Sequence, residues 1–126
     1  MRFGWCGARS DDLMNWLPAR LTWLVMTLAA SLLAGTSARK AFRVGWQQHA
    51  LVPGPNSGWS EAATAGGIQR RLVGPLWRDG ALVTTIWLGD PCDPEAGSAE
   101  DFLTACRFIL VVCALWVAAT AVFLAS

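Results

Sequence analysis

The sequence has no tyrosine, one histidine and few charges: only 15% of its 126 residues are Asp, Glu, Lys or Arg. A soluble domain needs about a quarter of its residues charged to clothe its surface, so the shortage argues against a water-exposed globule. Ten basic against nine acidic residues leave a formal charge of +1, which gives no electrostatic footprint for nucleic acid. The four cysteines (6, 92, 106, 113) form no C-x-x-C pair, and the one histidine cannot complete a zinc or haem site with them. Cys106 and Cys113 are read as small apolar filler on one helix face. Neither a G-x-x-x-x-G-K-[ST] phosphate loop nor a G-x-S-x-G elbow occurs, which leaves the standard nucleotide and hydrolase folds unsupported. Charge is missing altogether from two stretches, Leu21 to Ala38 and Phe108 to Ser126.

What is present in its place is apolar bulk: 54% of the chain, with eight tryptophans. At ~1.5 Å per residue each uncharged stretch, slightly extended, reaches across a hydrocarbon core of about 30 Å. Neither stretch carries the polar stripe of a helix in a soluble bundle. The expected fold is therefore mainly α and integral to the membrane: two transmembrane helices, 21–38 and 108–126, flank a loop-rich cytoplasmic module, 39–107, that holds a short strand or hairpin. Residues 1–20 form an N-terminal and interfacial segment in which Trp16 and Arg20 suit the headgroup layer, with Trp23 just beyond them. Pro18 fits a first helical turn, where its missing N–H costs nothing. The orientation follows from seven basic residues in 39–107 against three before the first run, which places the module in the cytoplasm and the protein in the inner membrane as a multi-pass protein.

The middle segment is polar and broken. Ala38 to Ala50 reads as a helix continuing from the membrane, with Phe42 and Trp46 on one face. Pro53, Gly54, Pro55, Asn56 and Gly58 turn the chain, and Ser60 followed by Glu61 reads as the start of a helix lined by Ala62, Ala63, Ala65, Gly66 and Gly67, which other backbones can approach closely. Asp79-Gly80 and the run Leu82 to Leu88 read as a hairpin or single strand. Ser98 with Asp101 forms a capping box for the last helix.

Polar residues supply the candidate chemistry. Asn56, Ser57 and Ser60 lie where a turn feeds a helix N-terminus, a place suited either to an anion or simply to capping. Asp90, Asp93 and Glu95 read either as carboxylates for Mg2+ or as a solvated acidic loop. His49 is a potential base, although a lone histidine on a surface usually is not one.

The order of three stretches is specific. DDLMNWLPARLTWL (11–24), PNSGWSEAATAGG (55–67), with His49 shortly before it, and WLGD (87–90) resemble the CobD/CbiB family of cobalamin biosynthesis, the adenosylcobinamide-phosphate synthases. The resemblance runs from Phe3 through nearly the whole chain but covers only the C-terminal portion of the longer family members, so a fragment is expected. It implies ATP-dependent attachment of aminopropanol, or its phosphate, to the last free carboxylate of adenosylcobyric acid, with ATP and Mg2+ as co-substrates. It also implies site roles: Asp12, Glu61 and Asp90 as catalytic carboxylates, with Asp90 holding Mg2+, and Arg20, His49, Asn56, Ser57 and Trp59 binding substrate or phosphate. Trp59 and Trp87 offer flat surfaces for a corrin or adenine. Partners would be these substrates, membrane lipid, and other membrane helices or a second copy. The alternatives are a non-catalytic membrane protein that binds a partner or anionic lipid through Arg39, Lys40 and Arg43, and an inactive fragment. Departures from the family pattern are Ser60 in place of Pro, a wider gap at Leu51 to Gly54, Leu76 after Pro75, and Gln69, Arg70 and Val73 where the G-[VA]-R-L-G-G-P segment is small or apolar. One conflict stays open: a plain first span would put Asp11, Asp12 and Asn15 across the membrane from Asn56 and Asp90, whereas a kinked or re-entrant entry at Pro18 would keep them together.

Overall fold

A computed structural model describes residues 3–126. Helices α1 (Phe3–Met14) and α2 (Trp16–Leu32) follow each other with only Asn15 between them; α3 (Ala38–Gln48) and α4 (Ser57–Ile68) come next, and α5 (Ala99–Ala125) closes the chain. Four short strands, β1 (Leu72–Val73), β2 (Leu76–Arg78), β3 (Ala81–Thr84) and β4 (Trp87–Leu88), lie between α4 and α5. They make two antiparallel pairs, β2 with β3 and β1 with β4. The Asp79-Gly80 turn has positive φ at both residues (52° and 78°), the primed geometry whose twist suits a two-residue hairpin. The expected Leu82 to Leu88 strand is thus two strands, one in each pair.

The first uncharged stretch does not run straight into the next helix. Helix α2 stops at Leu32, and Gly35, with φ of 82°, helps turn the chain. The Thr36 hydroxyl donates to the carbonyls of Ala30 and Leu33, 2.8 Å each, and Ser37 then caps α3 through the Lys40 N–H. At 17 residues, or roughly 25 Å, α2 is shorter than the usual span. Its inner face, Trp23, Met26, Ala29 and Ala30, is buried against α3 and α4, while Leu17, Leu21, Leu24, Leu28 and Leu32 remain exposed on its outer face. Among the described residues one helix, α5, is long and apolar enough to cross a membrane. Phe108 and Val112 of α5 are buried in the same core, and residues 117–126 are exposed throughout. The coarse expectation, a mainly helical chain with a membrane-length helix at its C-terminal end and a small hairpin, agrees with this architecture.

Small residues hold the core together. Ala62, Ala63 and Ala65 of α4 are fully buried, and Gly66 faces the backbone carbonyl of Lys40 on α3 so closely that no Cβ could be placed between them. Gly58 sits in the same way against the His49 carbonyl, and a Cβ on Gly67 would lie 3.0 Å from the Phe108 ring. The aromatic residues expected on one face of α3 share that face and edge onto Trp23, 4.6 Å from Phe42 and 5.8 Å from Trp46, centroid to centroid, while both stay exposed. The Ser98 and Asp101 capping box is present, with Ser98 Oγ accepting the Asp101 N–H and the Asp101 carboxylate accepting the Ser98 N–H.

Two departures from the family pattern meet strained backbone. Gln69 ends α4 in the left-handed region (φ 56°) and Val73 stands at φ 74°, a conformation that crowds Cβ against the carbonyl oxygen and is rare for a β-branched residue. Val73 is half-exposed, so its side chain contributes little packing in return. Val73→Gly is expected to stabilise the fold by about 1–2 kcal/mol. The check is the midpoint of denaturant unfolding in detergent, with an unchanged or lower midpoint as the contrary result.

Candidate functional site

Helix α4 begins at Ser57, three residues before the expected Ser60 start. Its N-cap residue, Asn56, makes no side-chain cap. The Asn56 amide instead reaches across to α1 and donates from Nδ2 to the Asp12 carbonyl at 2.9 Å, while its Oδ1 is buried and accepts nothing from the described residues. Nor do the nearby hydroxyls cap the helix. Ser57 Oγ donates to the Pro53 carbonyl (3.3 Å) and Ser60 Oγ to the Ser57 carbonyl (3.1 Å). The first-turn N–H groups of α4, which have no partner within the helix, are therefore not taken up by these side chains. Of that turn Ser57 lines a cavity of about 360 Å³, together with Asp11, Asp12, Asn15, Pro18, Gly54 and Asn56 among others. Asn15 Nδ2 donates to Asp11 Oδ1 at 3.0 Å, which fixes one carboxylate of that wall.

This settles where the motifs meet. The Asp-Asp pair and the N-W-L-P-A-R-L entry to α2 border the same cavity as the P-N-S-G-W loop, so Asp12, Asn56 and Ser57 are together. Arg20 is not among the residues that line the cavity; its guanidinium lies 4.0 Å from the Trp16 ring centroid and 5.0 Å from that of Trp59. His49 stacks on Trp59 (3.9 Å between centroids, 17° between planes). Its Nδ1 lies 2.9 Å from the Trp46 carbonyl and so must carry the proton that is donated there. Trp59 itself is only 4% exposed, covered by His49, Trp23 and Trp46, and is a core residue rather than a flat surface open to a corrin. Trp87 is half-buried, packed against Gly74 and under the Arg71 guanidinium at 4.9 Å. Glu61 is exposed one turn into α4 and is not among the residues that line the cavity.

Asp90 has a different setting. One of its oxygens pairs with Arg43 on α3, and the other accepts the Cys92 N–H at 3.1 Å. Lys40 pairs with Asp93 at 2.5 Å and Arg71 with Glu95 at 2.8 Å, so each of the three acids expected to face Mg2+ is held by a base instead. Among the described residues no three His, Cys, Asp or Glu side chains come together as ligands would. The residues around Asp90 therefore do not fit Mg2+, which needs several oxygens in near-octahedral array. The W-L-G-D turn is a fastening: Gln48 Nε2 donates to the Gly89 carbonyl (2.9 Å) and Gln48 Oε1 accepts the Gly89 N–H (2.8 Å), beside the Arg43 and Lys40 pairs on the same helix. The same pairs occupy two of the three basic residues expected to meet anionic lipid; Arg39 remains exposed. This lacing was missing from the sequence reading, although three acids within 90–95 and as many bases at 40, 43 and 71 were the visible signal.

The Cys92 N–H, helped by Arg43 and Lys40 and opposed by desolvation, holds the Asp90 carboxyl below its ordinary value. A depressed carboxylate stabilises the fold above its unfolded pKa and loses that contribution as pH falls through the folded value, so the window lies below about pH 4. The unfolding midpoint of the wild-type chain should fall across that window. Asp90→Asn should flatten this dependence, and an identical profile in both proteins would contradict the pairing.

The architecture defines a class: a helical protein with, among the described residues, one helix able to cross a membrane, and a cavity bordered by acidic and amide side chains where two helices begin. The model of the family described as CobD/Cbib protein matches residues 1–109. The chain belongs to the CobD/CbiB family. It is 48% identical over 99 residues to the cobalamin biosynthesis protein CobD of Geobacter metallireducens, covering 79% of this chain and 31% of that one. To CobD of Photorhabdus laumondii it is 46% identical over 87 residues, 69% of this chain and 27% of the relative. To the cobalamin biosynthesis protein CbiB of Salmonella typhi it is 37% identical over 126 residues, 98% and 37% of the two chains. The chain thus spans about a third of the length of these relatives. No solved structure matches it.

Proposed function

We propose that this chain supplies part of the site at which adenosylcobyric acid is joined through an amide to aminopropanol or its phosphate, with ATP as co-substrate, in cobalamin biosynthesis. A carboxylate condenses with an amine only after one of its oxygens becomes a leaving group, so an acyl phosphate is the expected intermediate. Such chemistry needs oriented donors where phosphoryl charge develops. The observation that carries the reading is the position of Asn56: its side chain is tied to Asp12 and does not cap α4, which leaves the helix's positive end at the cavity. Asn56, Ser57 and Arg20 are the anion-binding candidates, and Asp12 is the carboxylate placed to accept the proton released by the attacking amine. His49 is a secondary candidate through Nε2. Asp90 and Trp59 support these residues structurally, and no residue of this chain is assigned to Mg2+.

The same reading places the protein in the inner membrane as a multi-pass protein. Helix α5 and, set within the company of other helices, α2 would pass through the bilayer, with the segment after α2 on the cytoplasmic side by its excess of basic residues. The exposed leucines of α2 suit lipid or neighbouring membrane helices. The test uses a full-length version carrying these residues in a synthase-deficient strain. Growth on cobyric acid is expected from the parent and not from Asn56→Ala, with cobinamide as positive control. No growth from the parent would contradict the function, and full growth from the variant would contradict the site.

A further inference from the structure

Strands β2 and β3 form a hairpin that packs mainly on itself. Its apolar side chains are bare: Leu76, Trp77, Leu82 and Val83 are each 46–65% exposed. Trp77 stands opposite Leu82 across the pair. Leu76 and Trp77 are successive on one strand and so point to opposite faces, which leaves neither face of the hairpin suited to water. A two-stranded hairpin alone in water is marginally stable, and an apolar one with open edges invites aggregation. Something other than water must surround it.

The position of the hairpin's root points to the surroundings. Strands β1 and β4, which lead into it and out of it, are held to the helical unit: Leu88 is fully buried, and Leu72 packs on the core that contains Ile68 and Phe108. Leu72 also lines a cleft of about 370 Å³ together with Phe102 and Ala105 of α5. Those two residues precede Phe108, where the uncharged stretch begins, by about 9 and 4.5 Å along the helix axis. The polar layer on each side of a hydrocarbon core is roughly 5–8 Å deep. With α5 across the bilayer, the hairpin therefore springs from headgroup level. Arg107, exposed on the same stretch of α5, suits that level too.

We infer that the β2–β3 hairpin lies in the headgroup layer of the phospholipid bilayer, as a second anchor beside α5. Lipid meets both apolar faces at once, whereas a protein partner laid on one face would leave the other in water. Indole side chains favour this layer, which suits Trp77. The backbone limits the depth. The outer edges of a two-stranded pair carry unpaired N–H and C=O groups that the hydrocarbon core cannot satisfy, so the hairpin stays in the wet interface. This placement rests on the membrane reading proposed above for α5.

The test uses the full chain, its four native cysteines replaced by serine, reconstituted in phosphatidylcholine vesicles. A single cysteine carries an environment-sensitive fluorophore at position 83 (Val83→Cys), or in a second protein at position 82 (Leu82→Cys), which guards against a folding defect in the first. Val117→Cys, midway along the uncharged stretch and exposed, reports on α5. Quenching is read with lipid spin labels placed near the headgroup or at the chain end, and with aqueous iodide. Both hairpin reporters are expected to lose more fluorescence to the shallow label than to the deep one or to iodide, and Val117→Cys to lose most to the deep label. Trp77→Ser should return the position 83 reporter to iodide. Hairpin reporters quenched mainly by iodide or by the deep label overturn the inference, as do reporters reached by no quencher, which a covering protein surface such as a second copy would produce. If the position 117 reporter also escapes both lipid labels, the membrane reading of α5 fails as well; if it alone is reached by them, α5 spans and only the hairpin's place is refuted.

Discussion

Alanine at Gly66 is expected to unseat α3 from α4 and to cost at least about 3 kcal/mol, the upper part of the range for overpacked cores. The added methyl would meet the Lys40 carbonyl carbon at 2.7 Å and Val44 Cβ at 2.9 Å. Those atoms cannot swing aside as a flexible side chain would, since Lys40 lies in the first turn of α3 and Val44 is 2% exposed. Gly58→Ala should be as damaging, because the obstacle there is the backbone carbonyl of His49, the C-cap of α3. Gly7→Ala is the control. Nothing lies within 4 Å of a Cβ at Gly7 in α1, so alanine there should be neutral or gain up to about 1 kcal/mol of helix propensity. Denaturant unfolding in detergent reads all three, and a Gly66→Ala protein as stable as wild type would mean that the two helices are not packed backbone to backbone.

The second large effect is on activity. In a full-length version, Asn56→Ala should lower the rate of amide formation by roughly 10²–10³-fold, the usual consequence of losing alignment of a donor to developing phosphoryl charge. The side chain acts here by position: Nδ2 binds the Asp12 carbonyl and so holds the start of α4 against the acidic wall of the cavity. The cost in stability should be only about 1 kcal/mol, one exchanged hydrogen bond. A loss of activity far beyond the loss of folded protein separates this role from a merely structural one. Ser57→Ala should do less, since its hydroxyl is occupied by the Pro53 carbonyl and its backbone N–H survives the substitution.

Local signals were the legible part of the fold. Asp79-Gly80, the Ser98 and Asp101 box, Pro18 in a first turn and the small residues of α4 each act over a few residues, and each has the expected structure. The length of α2 was not legible, because an uncharged run does not mark where a helix stops. Gly35 and Thr36 turn the chain inside that run, and only packing of Trp23 and Met26 against later helices shows which face is buried. For the candidate site, motif order pointed to Asp12, Asn56 and Ser57, and the three border one cavity, with Asn56 docked on the Asp12 carbonyl. The Arg43 pair of Asp90 was not legible because the two residues are 47 positions apart, whereas its bond from the Cys92 N–H, two residues on, is the local turn that an aspartate favours. Asp93 drew notice only as one acid among three; its burial depends on the loop from Gly89 lying along α3, a tertiary fact.

The convergence of the Asp-Asp and P-N-S-G-W motifs on one cavity is tested most directly by crosslinking. Asp12→Cys and Asn56→Cys are placed together in a chain whose four native cysteines are serine, then oxidised or treated with a short bifunctional maleimide in membranes. The 12–56 pair is expected to crosslink quickly and nearly completely, because the loop stays seated by the Gly58 contact with His49. A 12–90 pair should not, since Asp90 is fastened to α3 and does not border the cavity. Crosslinking of 12–90 in preference to 12–56 would contradict the site.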